Sequence, residues 1–257
     1  MSTLNKSTII LVAARLKSSR LKKKVLRTIK GKELLFHLID RLKIIKNSDD
    51  IIICTSINPQ DDPIQDFCYK NSTKCFRGSE NDVMGRFINA IDHYNLSPDN
   101  IVRITGDNCL VAFESIDSGI KKHNYKNADV TILKDLPIGM GCEIVNYNYF
   151  KKLYHKVEDP SSSEYMTWML DRSDICKVEN VMAPEKLRRP KYRLTCDTKE
   201  DFILLDKIYE KLYNGKPISS EVVINLLDSE KELAKINQNI KQITFDDVKN
   251  HINVNIK

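Results

Sequence analysis

"TIILVAARLKSSRLKKKVL", residues 8–26, holds the transition on which the fold turns. Its first seven residues form an apolar run of strand length, the pattern of a strand covered on both faces. Directly behind stand Arg15, Lys17, Arg20, Lys22, Lys23 and Lys24, six cations within ten residues. A buried strand that ends in a cationic turn suits the middle of an α/β sheet, where ligands bind beyond the carboxyl ends of the strands.

The same alternation continues outward from this stretch. "ELLFHLIDRLKII" (33–45) carries Leu34, Leu35, Leu38, Ile39, Leu42 and Ile45 on one stripe and reads as a helix. "DIIICTS" (50–56) reads as a second strand. "NDVMGRFINAIDHY" (81–94) has helical spacing through Val83, Phe87, Ala90, Ile91 and Tyr94, with Ser79 or Asn81 placed to cap it. "NIVRITGD" (100–107) is a third strand ending in Gly-Asp. "RLTCDTKEDFILLDKIYEKLY" (193–213) returns to strand then helix with Thr198 as cap, and residues 220–240 have helical spacing again. Strand–helix–strand repetition predicts a mostly parallel sheet flanked by helices, joined by right-handed crossovers. The less regular segment 134–190 reads as an insertion bearing extra strands or a lid, within a single domain spanning 1–257.

Bulk composition narrows the function. With 257 residues, 41% hydrophobic and 30% charged, the chain is of ordinary soluble globular type, and no run approaches the ~18 apolar residues of a membrane helix. The N-terminal stretch lacks the order of a secretory signal, which makes the cytoplasm the expected location. Seven cysteines, an odd number without a C-x-x-C pair, read as buried free thiols and not as a metal–thiolate site. The net charge of +6 comes from 41 basic against 35 acidic residues. A compact phosphate ligand accounts for so small an excess as well as a nucleic acid does, and no helix-turn-helix or aromatic sheet motif supports the latter.

Three groups of residues have the chemistry for a phosphate site. Ser18 and Ser19, flanked by Arg15, Arg20 and Lys24, offer hydroxyl and backbone donors with cations to neutralise charge; the bland alternative is a solvated basic helix start. Neither a P-loop nor G-x-G-x-x-G is present. Asp107 in "ITGDN" and Asp197 in "LTCDT" each follow a strand, as a pair of Mg²⁺-holding carboxylates on a triphosphate would, although such aspartates also serve as caps. In "FRGSENDVMGRF" (76–87), Arg77 is a candidate for base, ribose or phosphate, whereas Arg86 is expected to pair with an acid on a helix face.

Four stretches, "AARLKSSRLKKKVL", "CFRGSENDVMGRF", "NIVRITGDNCLV" and "RLTCDTKEDF", stand in an order and at separations that resemble the cytidylyltransferase family containing the CMP-sugar-acid synthetases. Within it the nearest likeness is to the branch named after spore coat polysaccharide biosynthesis protein F. The resemblance covers about residues 8–215. It implies a Rossmann-like nucleotidyltransferase (GT-A-like) fold with a small inserted acceptor or dimerisation region at 134–190. It also implies CTP on the loop 13–24, with Ala13, Ala14, Arg15, Ser18 and Ser19 at the nucleotide and Arg20 and Lys24 on its phosphates. Asp107 and Asp197 would hold Mg²⁺, Arg77 would lie near the nucleoside, and "IGMGCE" would line the acceptor pocket with Glu143.

The implied reaction is attack of an acceptor oxygen on the α-phosphorus of CTP, with release of pyrophosphate, catalysed by Arg20, Lys24, Asp107 and Asp197. The acceptor would be an acidic sugar or another small anionic metabolite for a surface glycan, its anion held by Arg193 and by Arg188 and Arg189 if these are not plain surface charge. A cytoplasmic homodimer without nucleic-acid partner or membrane insertion completes the expectation. This chain departs from the family in three places: Lys17 replaces a glycine, Lys22-Lys23 replace Pro-Gly, and Asn108-Cys109 replace Cys-Pro. The alternatives are a relative that uses another nucleotide or a phosphonate or phosphorylated acceptor, and a nucleotide-binding relative without catalysis.

Overall fold

In the computed structural model, which describes residues 6–242 and 244–248, the opening apolar run forms β1 (Thr8–Ala13), covered on both faces. Ile10 and Val12 enter one core cluster and Ile9 and Leu11 the other, as the two-residue period of a strand requires. A two-stranded ribbon follows, β2 (Thr28–Ile29) and β3 (Lys32–Glu33), leading into α1 (Leu34–Leu42). Next come β4 (Asp50–Ser56), α2 (Asp62–Lys70), β5 (Lys74–Gly78), α3 (Val83–His93) and β6 (Asn100–Thr105). The second half contains α4 (Phe113–Lys126), β7 (Val130–Lys134), β8 (Glu143–Asn146), α5 (Tyr147–Tyr154), α6 (Met166–Leu170), β9 (Val178–Met182), α7 (Lys199–Leu212), α8 (Ser220–Ser229) and α9 (Lys231–Lys235).

Seven strands form one sheet in the order β5-β4-β1-β6-β8-β7-β9. The pairs β1–β4, β1–β6, β4–β5 and β7–β9 are parallel, and β8 runs antiparallel to both of its neighbours. One face of the sheet packs on α1, α2, α4, α7 and α8 through residues such as Leu38, Ile64, Ile116, Leu204 and Val223. The other face packs on α3, α5 and α6 through Phe87, Phe150 and Met169. This is the mostly parallel α/β fold that the sequence predicts.

Several local expectations need revision. The cap of α3 is Asp82, whose carboxylate accepts from the Gly85 amide at 2.7 Å, and neither Ser79 nor Asn81 takes that place. Residues 193–197 make an isolated bridge, Ile138 to Arg193, and no strand. Thr198 does cap α7, in a capping box with Asp201. The segment 134–190 contributes β8 and β9 to the main sheet. All seven cysteines are free, and burial pushes the Cys109 thiol up to about 12, which leaves it unreactive. Among the described residues no helix is long and apolar enough to cross a membrane. The residues at 1–5 and 249–257, parts of the expected single domain, lie outside the described residues.

Candidate active site

From β1 the chain moves outward to β4 and β5, then returns to β6 on the other side of β1. That reversal opens a crevice at the carboxyl ends of β1 and β6, the usual binding place in such sheets. The Gly106 amide donates to the Ala13 carbonyl at 2.8 Å, and a Cβ on Gly106 would sit 3.0 Å from that of Ala14. A larger residue there would force the two strand ends apart by a few tenths of an ångström. Over them lies a cleft of about 940 Å³, within the size range of small-molecule sites. Its lining includes Ala13, Ala14, Arg15, Ser18, Ser19, Arg20, Lys24, Asp107, Glu143 and Asp197.

The cationic turn folds as it does because its apolar residues point inward. Leu16 and Leu21 are buried, and the Leu16 amide donates to the fully buried Asp61 carboxylate at 2.7 Å. Lys23 adopts the left-handed conformation, φ 52°, and a short 3₁₀ turn then carries Lys24 back into the cleft. The Lys24 ammonium donates to Asp107 at 2.5 Å and to Asp197 at 2.6 Å. Arg20 approaches Asp197 at 3.6 Å, Lys17 pairs with Glu80 at 2.8 Å, and Lys22 and Lys23 face solvent. Burial alone would lower the pKa of Lys24, but the two carboxylates outweigh it and raise it. Burial works against ionisation of Asp197 as well, yet Lys24, Arg20 and Arg193 hold its carboxyl below the usual range.

Asp197 is braced from behind. The Arg193 guanidinium donates through Nη2 to Asp197 at 2.7 Å and through Nε to Asp201 at 2.9 Å. Asp201, fully buried, also accepts from the Asp197 and Thr198 amides and from the Asn237 side chain. Arg193 is 5% exposed, does not line the cleft, and has Gln242 on its remaining Nη1. Arg188 bonds the Ala183 carbonyl and Arg189 pairs with Asp228, both away from the cleft. Arg77 also falls outside the lining. It donates to the Ser56 and Asn58 carbonyls and to Gln65, each at 3.0 Å, and pairs with Asp62 at 2.6 Å.

Glu143 also lines the cleft, paired with Arg103 at 3.0 Å and accepting from the Thr167 hydroxyl at 2.7 Å. Trp168 and Tyr165 line the wall beside it. Arg103 and Thr167 were not singled out from the sequence; the signal for Arg103 was a lone arginine inside the apolar run of β6. Gly139, with φ 91°, lets residues 138–141 run against 192–195: a Cβ there would lie 2.5 Å from the Thr195 nitrogen. The flanking bonds, Ile138 amide to Tyr192 carbonyl at 2.9 Å and Leu194 amide to Ile138 carbonyl at 2.7 Å, join the Glu143 side of the cleft to the Asp197 side.

The donor set suits a hard divalent cation held partly by its substrate. Asp107 and Asp197 both reach a single ammonium, so their oxygens converge on one point. Among the described residues no group of three or more His, Cys, Asp or Glu gathers in this way. Two carboxylates with the remaining positions left to water and phosphate is the coordination that Mg²⁺ favours.

The chain matches a cytidylyltransferase family model over residues 9–242. It is 32% identical over 232 residues to spore coat polysaccharide biosynthesis protein SpsF of Bacillus subtilis, covering 88% of this chain and 96% of that protein. Among solved structures it resembles a cytidylyltransferase from Leptospira borgpetersenii (TM-score 0.80, 26% identity, 93% of this chain and 99% of that one). It shares its fold with a CMP:2-keto-3-deoxy-manno-octonic acid synthetase complexed with CTP (TM-score 0.61, 13% identity, 80% and 99%).

Proposed function

The chain belongs to the cytidylyltransferase family and is a nucleotidyltransferase, and on that premise we propose that it transfers a cytidylyl group from CTP to a small anionic acceptor. An acidic sugar destined for a surface polysaccharide fits best, given the likeness to SpsF. The observation that carries this reading is the convergence of Lys24, Asp107 and Asp197 in the lining of a cleft of about 940 Å³. Asp107 and Asp197 would hold Mg²⁺, which when bound offsets the negative charge on the triphosphate and on the pentavalent transition state.

The chain's own residues do the rest. Ser18, Ser19 and Arg15 line the nucleotide's path, and Arg20 and Lys24 stand where a β,γ-pyrophosphate would depart. Release of Lys24 from the two aspartates would free its ammonium for the leaving group as its charge grows. The acceptor oxygen attacks the α-phosphorus, the bond to the bridging oxygen breaks, and pyrophosphate leaves; positioning and electrostatics supply most of the rate. At the acceptor end Glu143 and Thr167 offer hydrogen bonds to hydroxyls, and Arg103, the cation there, offers an anion contact. The segment 134–190, which carries Glu143 and Thr167, serves in this reading as the acceptor region and as the contact of a cytoplasmic homodimer.

The test is pyrophosphate release with each of the four nucleoside triphosphates and Mg²⁺ against a panel of acidic sugars. Release with CTP and one sugar acid is expected. Turnover restricted to a different triphosphate, or CTP binding without release across the whole panel, would refute the reading.

A further inference from the structure

Asp61, at the end of the turn that follows β4, is fully buried. Its carboxylate accepts from the Leu16 amide at 2.7 Å and from the Ser56 hydroxyl at 2.5 Å. The buried Arg86 guanidinium adds favourable charge nearby. A carboxylate withdrawn from water is costly, and it is kept where its charge-assisted bonds hold something that neutral groups hold less well. Here it holds the residue at which the cationic turn leaves the sheet.

β1 and β4 are parallel with Ala13 opposite Cys54, and the Ala14 amide donates to the Cys54 carbonyl at 3.1 Å. The next rung of a parallel ladder would join the Leu16 amide to the Ser56 carbonyl. That carbonyl instead accepts from Arg77 Nε at 3.0 Å, and the Leu16 amide turns to Asp61. The chain thus peels away from β4 one rung early. The Leu16 carbonyl accepts from the Lys23 amide at 3.3 Å, so this one residue closes the base of the 16–23 loop. Arg20 sits on that loop and Lys24 directly follows it, both in the cleft lining. Arg77 holds the Ser56 and Asn58 carbonyls and Asp62, and so steadies the segment that carries Asp61. A second link to that segment runs from Lys17 to Glu80 and from Glu80 to the Asn58 side chain at 3.2 Å. It starts from a lysine that is 62% exposed and contributes less.

We propose that Asp61 is a positioning residue for the phosphate-binding turn: by fixing the Leu16 amide it sets the base of the 16–23 loop, and with it the places of Arg20 and Lys24. The carboxylate touches no ligand; it lies outside the cleft lining and acts through backbone alone. This rests on the nucleotide reading given above and deepens it, because the grip on phosphate then depends on a buried acid carried by the connection after the neighbouring strand.

The experiment is titration calorimetry of the full chain, below its melting temperature, with CTP plus Mg²⁺ and with inorganic tripolyphosphate, for wild type, Asp61→Asn, Asp61→Ala and Ser56→Ala. A hydrogen bond to a charged group corresponds to about a 10- to 100-fold change in an equilibrium constant, and Asp61→Ala is expected to lose affinity for both ligands by about 10-fold or more. Asp61→Asn should restore most of that loss, since its amide carbonyl still accepts from Leu16. Ser56→Ala, which loosens the carboxylate, should show a smaller loss of the same kind. A lower melting temperature of Asp61→Ala with both affinities unchanged would make Asp61 a purely structural acid and overturn the proposal. So would an Asn variant as weak as the Ala variant, because the charge and not the bond to Leu16 would then be responsible. If Asp61→Ala does not fold, Ser56→Ala decides: full affinity for tripolyphosphate in that variant contradicts the proposal. A wild-type chain that binds neither CTP nor tripolyphosphate would instead remove the nucleotide reading, before any variant is compared.

Discussion

The Lys24 ammonium lies 2.6 Å from Asp197, a carboxylate it must release if that carboxylate is to take a divalent cation, and it bonds Asp107 at the same time. In the proposed reading lysine and metal compete for one anionic point. Lys24→Met should tighten binding of Mn²⁺ in the absence of nucleotide and weaken binding of the triphosphate by about 10-fold or more, since a charge-assisted contact is lost. Calorimetry with Mn²⁺ alone and with CTP reads both. Unchanged affinity for the metal would show that the ammonium does not guard the site.

Lys23 takes a conformation, φ 52°, that costs an L-residue about 1 kcal/mol and glycine almost nothing. The resemblance implies a glycine at this position in the family, and here a lysine takes the left-handed turn at the expense of some backbone strain. Lys23→Gly should raise the melting temperature by about 2–4 °C without lowering turnover, the side chain being exposed. A fall in melting temperature would mean that the lysine contributes something the backbone geometry does not reveal.

Arg193 acts through Asp197. Removing its bond should leave a carboxylate free to rotate, so Arg193→Lys is expected to lower kcat and metal affinity by about 10- to 100-fold while the KM for the acceptor changes little. Mn²⁺ titration and steady-state kinetics check this together. A variant whose only defect is a raised acceptor KM would return Arg193 to the acceptor pocket.

The fold was legible where periodicity is strong and the site where charge breaks it. β1, β4 and β6 could be read as apolar runs, and Lys24, Asp107 and Asp197 stood out because each interrupts or ends one. Arginines are the least legible, because sequence does not say whether a guanidinium faces a cleft or caps backbone carbonyls. Arg77 and Arg193 turned out to be bound to neighbouring protein groups, whereas Arg86 and Arg103 line the cleft. α2, β5 and α4 escaped notice because their apolar residues are sparse; α4 has polar residues through most of its length. The segment 134–190 was irregular in sequence because its strands and helices are short and its contacts are made with distant parts of the chain, as Ile138 with Arg193 shows.

His123 gives the chain a pH dependence unrelated to the active site. Its ring bonds Thr131 and Asn100 at 2.9 and 3.1 Å, and burial, helped by Lys6, pushes its pKa down to about 4. The unfolded chain takes up a proton near pH 6.5 that the folded chain refuses until about pH 4. Stability is therefore full above pH 6.5 and is lost as the pH falls toward 4, by roughly 3 kcal/mol from this group. His123→Gln should flatten that part of the curve in melting experiments between pH 7.5 and 4. An undiminished slope would assign the acid sensitivity to other groups.

The most direct measurement is the anomalous scattering of Mn²⁺ in a crystal of the chain with CTP. The expected peak lies within bonding distance of both the Asp107 and Asp197 carboxylates and of the nucleotide's phosphates, with the Lys24 ammonium moved onto the triphosphate. A metal bound elsewhere, or Lys24 still joined to both aspartates with the nucleotide in place, would contradict the central claim.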